Sequence, residues 1–416
     1  MIQGGKRLRG SVRVSGSKNA VLPIMAASVL TSEPCLLRDV PALSDVAVMA
    51  QILERLGVEV TYDPSGGEMH IHARQISTCE VRESLSRQMR SSIFLMGPLL
   101  GRIGRVKVAH PGGCAIGPRP IDLHLRGLEM LGARIRERHG YIYAEAQELH
   151  GQEIHLDFPS VGATENIMMA AVLARGTTVI RNAAKEPEIV DMQNFLNAMG
   201  ARITGAGTDM IRIEGVKELG GCEHQVIPDR IEAGTLMVAA AITEGEVTLE
   251  NVIPEHLESV TAKLREVGVR TAQAGPGRLR VSGSGHLRAT DFKTMPYPGF
   301  PTDMQPQVMA LMCVADGTSL ITETIFENRF KHADELRRMG ANIKVEGRTA
   351  VVKGTASLFG ALVECTDLRS GAALVLAGLV AEGTTVVEGI SHIDRGYQGL
   401  EAKLNALGAS VERAAE

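Results

Sequence analysis

The sequence predicts an α/β protein of two domains, each assembled from three copies of one repeat of about 70 residues. A pattern of leucine, two variable residues, an apolar residue and glycine occurs six times along the 416 residues. Helical and strand-like hydrophobic patterns alternate between successive copies. The copies span nearly the whole chain, and their glycines recur at almost equal intervals: Gly57, Gly132, Gly200, Gly268, Gly340 and Gly408.

Each copy of the pattern has the properties of a helix C-terminus. Its two apolar residues are three positions apart and share one helix face, as Leu196 and Met199 do before Gly200. Glycine readily adopts the left-handed conformation that closes a helix. An alternating strand follows, for example the Ile-Lys-Val segment at 343–345. The sequence therefore predicts six helices that end at a glycine and lead into a strand.

A second and more apolar helix precedes each of these. An example is the Ile-Met-Met-Ala-Ala-Val-Leu segment at 167–173, which stops before Gly176 and continues into Thr-Thr-Val-Ile. Each repeat is thus predicted to run strand, helix, strand, helix, strand, strand. We expect the apolar helix to be buried and the Leu-x-x-x-Gly helix to be more exposed.

The repeats are longer than the 20–50 residues typical of open solenoids, which favours two compact domains of three repeats each. The boundary is predicted near 225–228, between the third and fourth repeats. The first domain would comprise residues 15–227, and the second would comprise 1–14 together with 228–416. The N-terminal strand at 9–14 is assigned to the second domain because the last repeat ends without a complete hairpin.

Composition excludes several classes of protein. With 44 basic and 48 acidic residues the net charge is −4, and only 3% of residues are aromatic with no Trp, so a nucleic-acid coat is not expected. The longest apolar helical segments are about ten residues, too short for a membrane span. The N-terminus lacks a signal-peptide core, and the six cysteines are widely spread without a CxxC pair. These features predict a cytoplasmic protein with no membrane insertion, no nucleic-acid partner and no metal site.

The second repeat carries an insertion. Its two characteristic glycines, Gly104 and Gly132, are further apart than the corresponding pairs of repeats three to six, such as Gly176 and Gly200. The extra residues fall in a loop rich in glycine and proline at 110–124, which is typical of a binding loop or lid.

Cys114 lies in this loop beside glycines and close to His110 and Arg119. Such cations lower a thiol pKa, which suits a nucleophile or a proton donor. Alternatives to this interpretation of Cys114 are a small buried hydrophobe and, with weaker support, a Cys-His-Asn hydrolase. Among the other cysteines, we expect Cys35 and Cys313 to be buried as small hydrophobes and make no prediction for Cys79, Cys222 and Cys365.

Cations at the starts of the apolar helices are the second indication of a site. Capping residues such as Ser17, Ser160 and Asp229 are ordinary at these positions. Lys18, Arg90 and Arg369 are electrostatically unfavourable there unless an anion is bound. If the apolar helices of each domain run parallel, their N-termini face one cleft. The residues alone therefore predict chemistry on a small polyanion, with Arg329 and Arg395 at the repeat position of Arg119.

The motifs around these residues resemble those of the enolpyruvyl transferases, over essentially the whole chain. They comprise Gly-Ser-Lys-Asn at 16–19, Pro-Gly-Gly-Cys-x-Ile-Gly-x-Arg-Pro-x-Asp-Leu-His at 111–124, Ser-Val-Gly-Ala-Thr at 160–164, Pro-Thr-Asp-Met-Gln at 301–305, Glu-Asn-Arg-Phe at 327–330, Asp-Leu-Arg at 367–369 and Asp-Arg-Gly-Tyr at 394–397. The resemblance implies two inside-out α/β barrels, each of three βαβαββ repeats, with an active-site cleft between the domains. Within the family the chain is most similar to members of bacterial peptidoglycan synthesis.

The resemblance implies transfer of the enolpyruvyl group of phosphoenolpyruvate to the 3-hydroxyl of UDP-N-acetylglucosamine, by addition and elimination, with no metal or organic cofactor. Cys114 would donate a proton to the methylene carbon, or form a thioether adduct, and Asp303 would take the hydroxyl proton. Lys18, Arg119 and Arg395 would hold phosphoenolpyruvate, with support from Arg329, Asp367 and Arg369. The residues that would line the UDP-sugar site are Asn19, Arg90, Arg119, Pro120, Ile121, Asp122, Leu123, His124, Ser160, Val161, Gly162, Asp303 and Ile325.

One departure and two alternatives remain at this stage. Some family members carry a lysine where this chain has Phe158, so a nucleotide phosphate contact is absent or supplied elsewhere. Within the family, the acceptor could instead be shikimate 3-phosphate, although enzymes with that acceptor lack the cysteine loop. A different class of function would be a non-catalytic repeat scaffold, which would not change shape when a ligand binds.

Overall fold

The computed structural model describes residues 1–111, 116–117 and 120–414, so the predicted site residues Cys114 and Arg119 lie outside the described residues. The chain divides into two compact units. The first unit comprises residues 16–111 and 120–227, and the second comprises 1–15, 116–117 and 228–414. Each unit has its own hydrophobic core.

The described strands form six four-stranded sheets, three in each unit. The strands are β1 (Ile2–Gln3), β2 (Arg9–Arg13), β3 (Pro34–Arg38), β4 (Glu59–Asp63), β5 (Glu68–His72), β6 (Glu80–Val81), β7 (Arg105–Ala109), β8 (Arg134–Arg138), β9 (Tyr141–Glu145), β10 (Glu153–His155), β11 (Thr177–Arg181), β12 (Arg202–Thr204), β13 (Met210–Glu214), β14 (Glu223–Gln225), β15 (Glu246–Glu250), β16 (Arg270–Gln273), β17 (Arg278–Ser282), β18 (Phe292–Lys293), β19 (Thr318–Thr322), β20 (Asn342–Glu346), β21 (Thr349–Lys353), β22 (Leu362–Glu364), β23 (Thr384–Glu388) and β24 (Ser410–Val411).

Helices occupy the intervals between these strands. They are α1 (Lys18–Ala27), α2 (Ser44–Arg55), α3 (Glu83–Ser86), α4 (Met96–Ile103), α5 (Asp122–Met130), α6 (Val161–Ala171), α7 (Pro187–Ala198), α8 (Arg230–Ile242), α9 (Glu258–Val267), α10 (Gln305–Met312), α11 (His332–Arg338), α12 (Leu368–Gly378), α13 (Ser391–Asp394) and α14 (Leu400–Ala406). Short 3-10 helices lie at Ser28–Leu30, Arg90–Leu95, Pro254–Leu257 and Thr302–Met304.

One strand order recurs in the sheets. In the third repeat β10 runs parallel to β11, β11 is antiparallel to β13, and β13 is antiparallel to β12. Between them the chain makes α6 and α7, so the predicted order of strand, helix, strand, helix, strand, strand is confirmed. Each of the six sheets keeps its own four strands in the described residues, and none closes into a continuous barrel.

Three strands complete the sheet of a repeat that is distant in sequence. In the first unit, β14 follows the third repeat and pairs in parallel with β3 of the first repeat. In the second unit, β2 pairs in parallel with β15 of the fourth repeat. The N-terminal β1 lies antiparallel between β23 and β24 and completes the sheet of the sixth repeat. In each unit the beginning and end of its three repeats are therefore joined by backbone hydrogen bonds.

The predicted difference between the two helix sets is confirmed. Helices α8, α10 and α12 are buried along almost their whole length, whereas α9 buries only Val260, Leu264 and Val267. The six glycines of the repeat pattern all have positive φ, between 92° and 107°. A side chain at these positions would strain the backbone, which is the physical reason for glycine there.

Candidate functional site

Lys18 begins helix α1 in the first unit and is almost completely buried, with 8% exposure. Ser17 caps this helix, since its side chain accepts a hydrogen bond from the Ala20 backbone N–H at 3.3 Å. The Lys18 ammonium lies 2.8 Å from a carboxylate oxygen of Asp45 in α2. A buried cation at a helix N-terminus is unfavourable by itself, and Asp45 supplies the opposing charge.

Sequence reasoning missed Asp45. The only local signal is its place in the first turn of α2, where an acidic residue also suits the helix dipole.

His124 is fixed by a buried amide. The Asn166 side-chain nitrogen donates to His124 Nδ1 at 3.1 Å and to the Ile93 carbonyl at 2.9 Å, while its oxygen accepts from the Gly97 N–H at 2.6 Å. With Nδ1 as the acceptor, the ring proton of neutral His124 is assigned to Nε2. This network joins α5, α6 and the 3-10 helix that begins at Arg90.

Gly162 lies against the same histidine. A Cβ at this position would be 3.0 Å from His124 Cε1 and 3.3 Å from Phe94 Cε1. The glycine therefore allows the start of α6, which is capped by Ser160, to lie directly against the ring of His124.

The other predicted residues of the first unit differ in exposure. Ile121 is buried, Pro120 and Asp122 are exposed, and the residues of intermediate exposure are Asn19, Arg90, Leu123, Ser160, Val161 and Gly162. Phe158, where some family members have lysine, is 45% exposed. Its aromatic ring carries no positive charge that could bind a phosphate group.

Glu165 is a buried carboxyl group that sequence reasoning also missed. It is 1% exposed in α6, and neither carboxyl oxygen has a hydrogen-bond partner in the described residues. Burial, together with the charges of Glu188 and Glu186, raises the pKa of Glu165 well above its ordinary value. This environment favours the neutral form of the carboxyl group.

Asp303 is the centre of the predicted site in the second unit. It lies in the 3-10 helix Thr302–Met304, and its two carboxylate oxygens accept separately from two arginines. Arg329 Nη2 donates to Oδ1 at 3.1 Å, and Arg369 Nε donates to Oδ2 at 3.2 Å. Both guanidinium groups are almost fully buried, with side-chain exposures of 3% and 2%. Asp303, at 28%, is the accessible member of this cluster.

Arg369 is supported from its other side by Tyr397. The guanidinium lies 5.3 Å from the centroid of the Tyr397 ring, a cation–π contact. The Tyr397 hydroxyl lies 3.0 Å from Thr235 Oγ1 and accepts from Gln307 Nε2 at 3.1 Å. Burial raises the pKa of Tyr397, so this phenol stays protonated.

Asp367 caps α12, where it accepts from the backbone N–H groups of Arg369 at 3.0 Å and Ser370 at 3.1 Å. Burial would raise the pKa of Asp367, but the charge of Arg329 and the hydrogen bonds from Ser370 together hold it below its ordinary value. Asp367 therefore remains an anion beside the arginine cluster.

Glu323 organises the segments on either side of Asp303 and was not predicted. It is fully buried, and its Oε1 accepts from Thr294 Oγ1 at 2.8 Å, Ile325 N at 2.8 Å and Phe326 N at 3.1 Å. Its Oε2 accepts from Thr302 Oγ1 at 2.9 Å. One carboxylate thus joins the predicted substrate residue Ile325 to the residue that precedes Asp303. No local sequence motif marks this role.

His332 is buried in α11 with 0% exposure, and neither ring nitrogen has a hydrogen-bond partner among the described residues. Burial lowers its pKa to about 4, assisted by the positive charge of Arg329 and opposed by Asp367. The ring is therefore neutral at physiological pH.

The structure joins Asp303, Arg329 and Arg369 by direct contacts, and Ile325 through Glu323. Arg395 has intermediate exposure at the end of α13, two residues before Tyr397. From the cysteine loop, Ile116 accepts through its carbonyl from the Asn328 N–H at 3.1 Å. In residues 1–111, 116–117 and 120–414, no group of His, Cys, Asp and Glu side chains is arranged to hold a metal ion. None of the helices in these ranges has the length and apolar character needed to cross a membrane.

Comparisons with known proteins agree on one family. A family model described as EPSP synthase (3-phosphoshikimate 1-carboxyvinyltransferase) matches residues 2–404. The UDP-N-acetylglucosamine 1-carboxyvinyltransferase 1 of Symbiobacterium thermophilum is 64% identical, over 99% of this chain and 94% of that protein. The protein with the same name from Caldanaerobacter subterraneus is 58% identical, over 99% of each chain.

Solved structures show the same fold. The enolpyruvyl transferase NikO from Streptomyces tendae has a TM-score of 0.89 and 26% identity, covering 98% of this chain and 97% of its own. An EPSP synthase from Acinetobacter baumannii has a TM-score of 0.76 at 20% identity, covering 99% and 98%, a likeness of fold alone.

Proposed function

This chain belongs to the enolpyruvyl transferase family, and we propose that it transfers the enolpyruvyl group of phosphoenolpyruvate to the 3-hydroxyl of UDP-N-acetylglucosamine, releasing phosphate. The observation that carries the choice of acceptor is the 55–64% identity, over at least 99% of the chain, to relatives named UDP-N-acetylglucosamine 1-carboxyvinyltransferase. The reaction is the first committed step of peptidoglycan biosynthesis. We place the enzyme in the cytoplasm, with roles in cell-wall biogenesis, cell shape, the cell cycle and cell division.

The reaction proceeds by addition followed by elimination. The sugar 3-hydroxyl oxygen bonds to C2 of phosphoenolpyruvate while a proton is added at the C3 methylene, which gives a tetrahedral intermediate. Phosphate then leaves from C2 and a proton leaves C3, which regenerates the double bond on the new ether. The enzyme must therefore supply an acid near C3, a base near the hydroxyl, and cations for the carboxylate and phosphate.

Asp303 is the proposed base. Its contacts with Arg329 and Arg369 favour the ionised carboxylate, the form that accepts a proton. An anionic substrate would compete for the same guanidinium groups and release the carboxylate for the sugar hydroxyl. Bidentate guanidinium groups also suit the carboxylate and phosphate of phosphoenolpyruvate.

Cys114 is the proposed acid and the residue alkylated by the epoxide fosfomycin. This role rests on the motif at 111–124 and on the nearby Arg119, because both residues lie outside the described part of the chain. We propose that Lys18, Arg119 and Arg395 hold phosphoenolpyruvate, with Arg329, Asp367 and Arg369 in support. The proposed UDP-sugar residues are Asn19, Arg90, Arg119, Pro120, Ile121, Asp122, Leu123, His124, Ser160, Val161, Gly162, Asp303 and Ile325.

The buried first-unit contacts support this assignment. Asp45 holds the Lys18 ammonium, and Asn166 holds the His124 ring so that its Nε2–H lies on the side away from the amide. We propose that Lys18 contributes positive charge to the phosphate and that His124 shapes the sugar site.

Transfer to shikimate 3-phosphate is the second candidate, favoured by the description of the matching family model. A phosphate-release assay with phosphoenolpyruvate and each acceptor separates the two. We expect phosphate and a mass-identified enolpyruvyl ether only with UDP-N-acetylglucosamine. Release with shikimate 3-phosphate alone would reverse the assignment, and release with neither would favour the non-catalytic scaffold.

Cysteine variants test the proposed acid. Cys114→Ala should abolish phosphate release, whereas Cys79→Ala, a control at a cysteine of intermediate exposure, should retain it. Intact-mass analysis should show one fosfomycin adduct on the wild type and on Cys79→Ala, with none on Cys114→Ala. Near-normal turnover of Cys114→Ala would contradict the acid role.

A further inference from the structure

Two cysteines that are far apart in the sequence, Cys35 and Cys222, lie side by side in the first unit. Strands β14 and β3 run parallel with Glu223 opposite Leu36, and the Leu36 N–H donates to the Cys222 carbonyl at 2.9 Å. Cys222 and Cys35 precede these paired residues by one position each. They are therefore neighbours across the junction where the end of the third repeat completes the sheet of the first.

Both side chains point to the same face of the sheet. In β3, Cys35 and Leu37 are buried while the residues between and beside them are more exposed. Along β14 and its flanking residues, His224 and Val226 are less exposed than Glu223 and Gln225. Cys222 lies on the same side as His224 and Val226, because side chains alternate along a strand. Neighbouring strands are about 4.8 Å apart, which lies within the range of about 4.4–6.8 Å between the Cα atoms of a disulfide.

The two thiols influence each other's pKa. The neighbouring Cys222 thiol lowers the pKa of Cys35, and this effect outweighs burial, which acts in the opposite direction. The same interaction, together with burial, raises the pKa of Cys222. Cys35 is thus the better nucleophile of the pair, and Cys222 is the neighbouring thiol that can react with its oxidised form.

Cys222 is the more accessible member of the pair. Cys35 is only 1% exposed, whereas Cys222 has intermediate exposure. An oxidant must therefore approach Cys35 past Cys222, which favours a small reagent over a protein disulfide.

We propose that Cys35 and Cys222 form a redox-sensitive pair that a hydroperoxide converts to an intramolecular disulfide. The Cys35 thiolate attacks one peroxide oxygen, and its sulfur is oxidised to a sulfenic acid. The other peroxide oxygen leaves as hydroxide, or as an alkoxide that is protonated to an alcohol. The Cys222 thiol then attacks that sulfur, a sulfur–sulfur bond forms, and the sulfenic oxygen leaves as water. The peroxide is the two-electron oxidant, and a thiol reductant reverses the change.

The disulfide would join the third repeat covalently to the first. At present β14 is held to β3 by backbone hydrogen bonds and by an ion pair of Arg38 with Glu223. The chain after β14 reaches Ile227, whose carbonyl accepts from the Ser17 N–H at 2.7 Å. A crosslink that closes so long a loop restricts the unfolded chain and raises the unfolding temperature of the first unit.

Peptide mapping of the full-length protein after hydrogen peroxide treatment tests the proposal. We expect one linked pair of peptides, carrying Cys35 and Cys222, that is lighter than the two reduced peptides by two hydrogen atoms and separates under reductant. The midpoint of thermal unfolding should rise on oxidation and return on reduction. Cys222→Ser should lose both effects, while Cys79→Ser, the matched control, should retain them.

A second measurement does not depend on a folded variant. The wild-type protein should bind one equivalent of phenylarsine oxide, a probe for paired thiols, with Cys35 and Cys222 both protected from later alkylation. Alkylation of both thiols despite the probe would overturn the proposal. A peroxide-treated protein in which Cys35 pairs with a different cysteine, or remains reduced while other cysteines are oxidised, would overturn it too.

Discussion

Replacing Glu323 tests whether one buried carboxylate holds the second-unit site together. Four donors depend on it: the hydroxyls of Thr294 and Thr302 and the backbone N–H groups of Ile325 and Phe326. A buried donor without a partner costs about 1–3 kcal/mol. Glu323→Ala would therefore cost at least about 4 kcal/mol, a large part of the roughly 5–15 kcal/mol that stabilises a typical domain.

Glu323→Gln is the sharper perturbation because it keeps the shape of the side chain. The amide oxygen can replace Oε1 and keep three donors, while the amide nitrogen faces Thr302 Oγ1, which must then accept. The loss is one charge-assisted hydrogen bond and the negative charge, so we expect about 1–3 kcal/mol of destabilisation. In a unit of this size that corresponds to a fall of about 2–12 °C in the unfolding midpoint.

The assay is thermal unfolding followed by far-ultraviolet circular dichroism, since the chain has no Trp. Glu346→Gln is the matched control, because Glu346 is 71% exposed and pairs with Lys344 on the surface of the same unit. Its stability should stay within about 0.5 kcal/mol of the wild type. At a temperature where both variants are folded, kcat should fall by up to about 100-fold for Glu323→Gln, because Asp303 is displaced, and should be unchanged for Glu346→Gln. Equal midpoints and equal kcat for the two variants would refute the reasoning.

Three further changes test the charged groups. Asp303→Asn should lower kcat by about 10²–10⁴-fold in the phosphate-release assay, and an unchanged kcat would exclude Asp303 as the base. Asp45→Asn removes the carboxylate beside Lys18 and should lower the free energy of unfolding by about 3–5 kcal/mol. The double variant Asp45→Asn, Lys18→Met should recover part of this loss. If the effects of the two substitutions on stability were simply additive, the ion pair would be contradicted. His332 has a pKa of about 4 in the folded chain and about 6.5 when unfolded, so the unfolded state binds more protons between these values. Stability should therefore fall as pH decreases from about 6.5 to 4, by up to about 3 kcal/mol, and urea unfolding of His332→Gln should show a flatter pH dependence than the wild type.

The repeat architecture was accessible from sequence because it is encoded locally. Helical and strand periodicities depend on residues a few positions apart, and the left-handed cap requires glycine whatever the surroundings. All six glycines of the pattern have the expected positive φ, and the order of helices and strands within a repeat is as predicted. The cationic starts of α1 and α12 were likewise visible, since Lys18 and Arg369 occupy positions where a helix disfavours positive charge.

The partners of these residues could not be predicted in the same way. Asp45 was an ordinary acidic residue of a helix, and Glu323 carried no motif, yet each is a buried carboxylate that determines the geometry of a predicted site residue. Cys35 was predicted to be buried, which is confirmed at 1% exposure, but its contact with Cys222 depends on a strand that follows two repeats later in the chain.

By itself, the sequence determined the number of repeats, the alternation of helices and strands and the family to which the chain belongs, because each follows from short patterns of residue types. Only the tertiary structure decided which distant strand completes each sheet and which carboxylate opposes each buried cation. These pairings depend on the approach of segments that are far apart along the chain, and local hydrophobic pattern carries no information about the partner that a buried charge or a strand edge will meet.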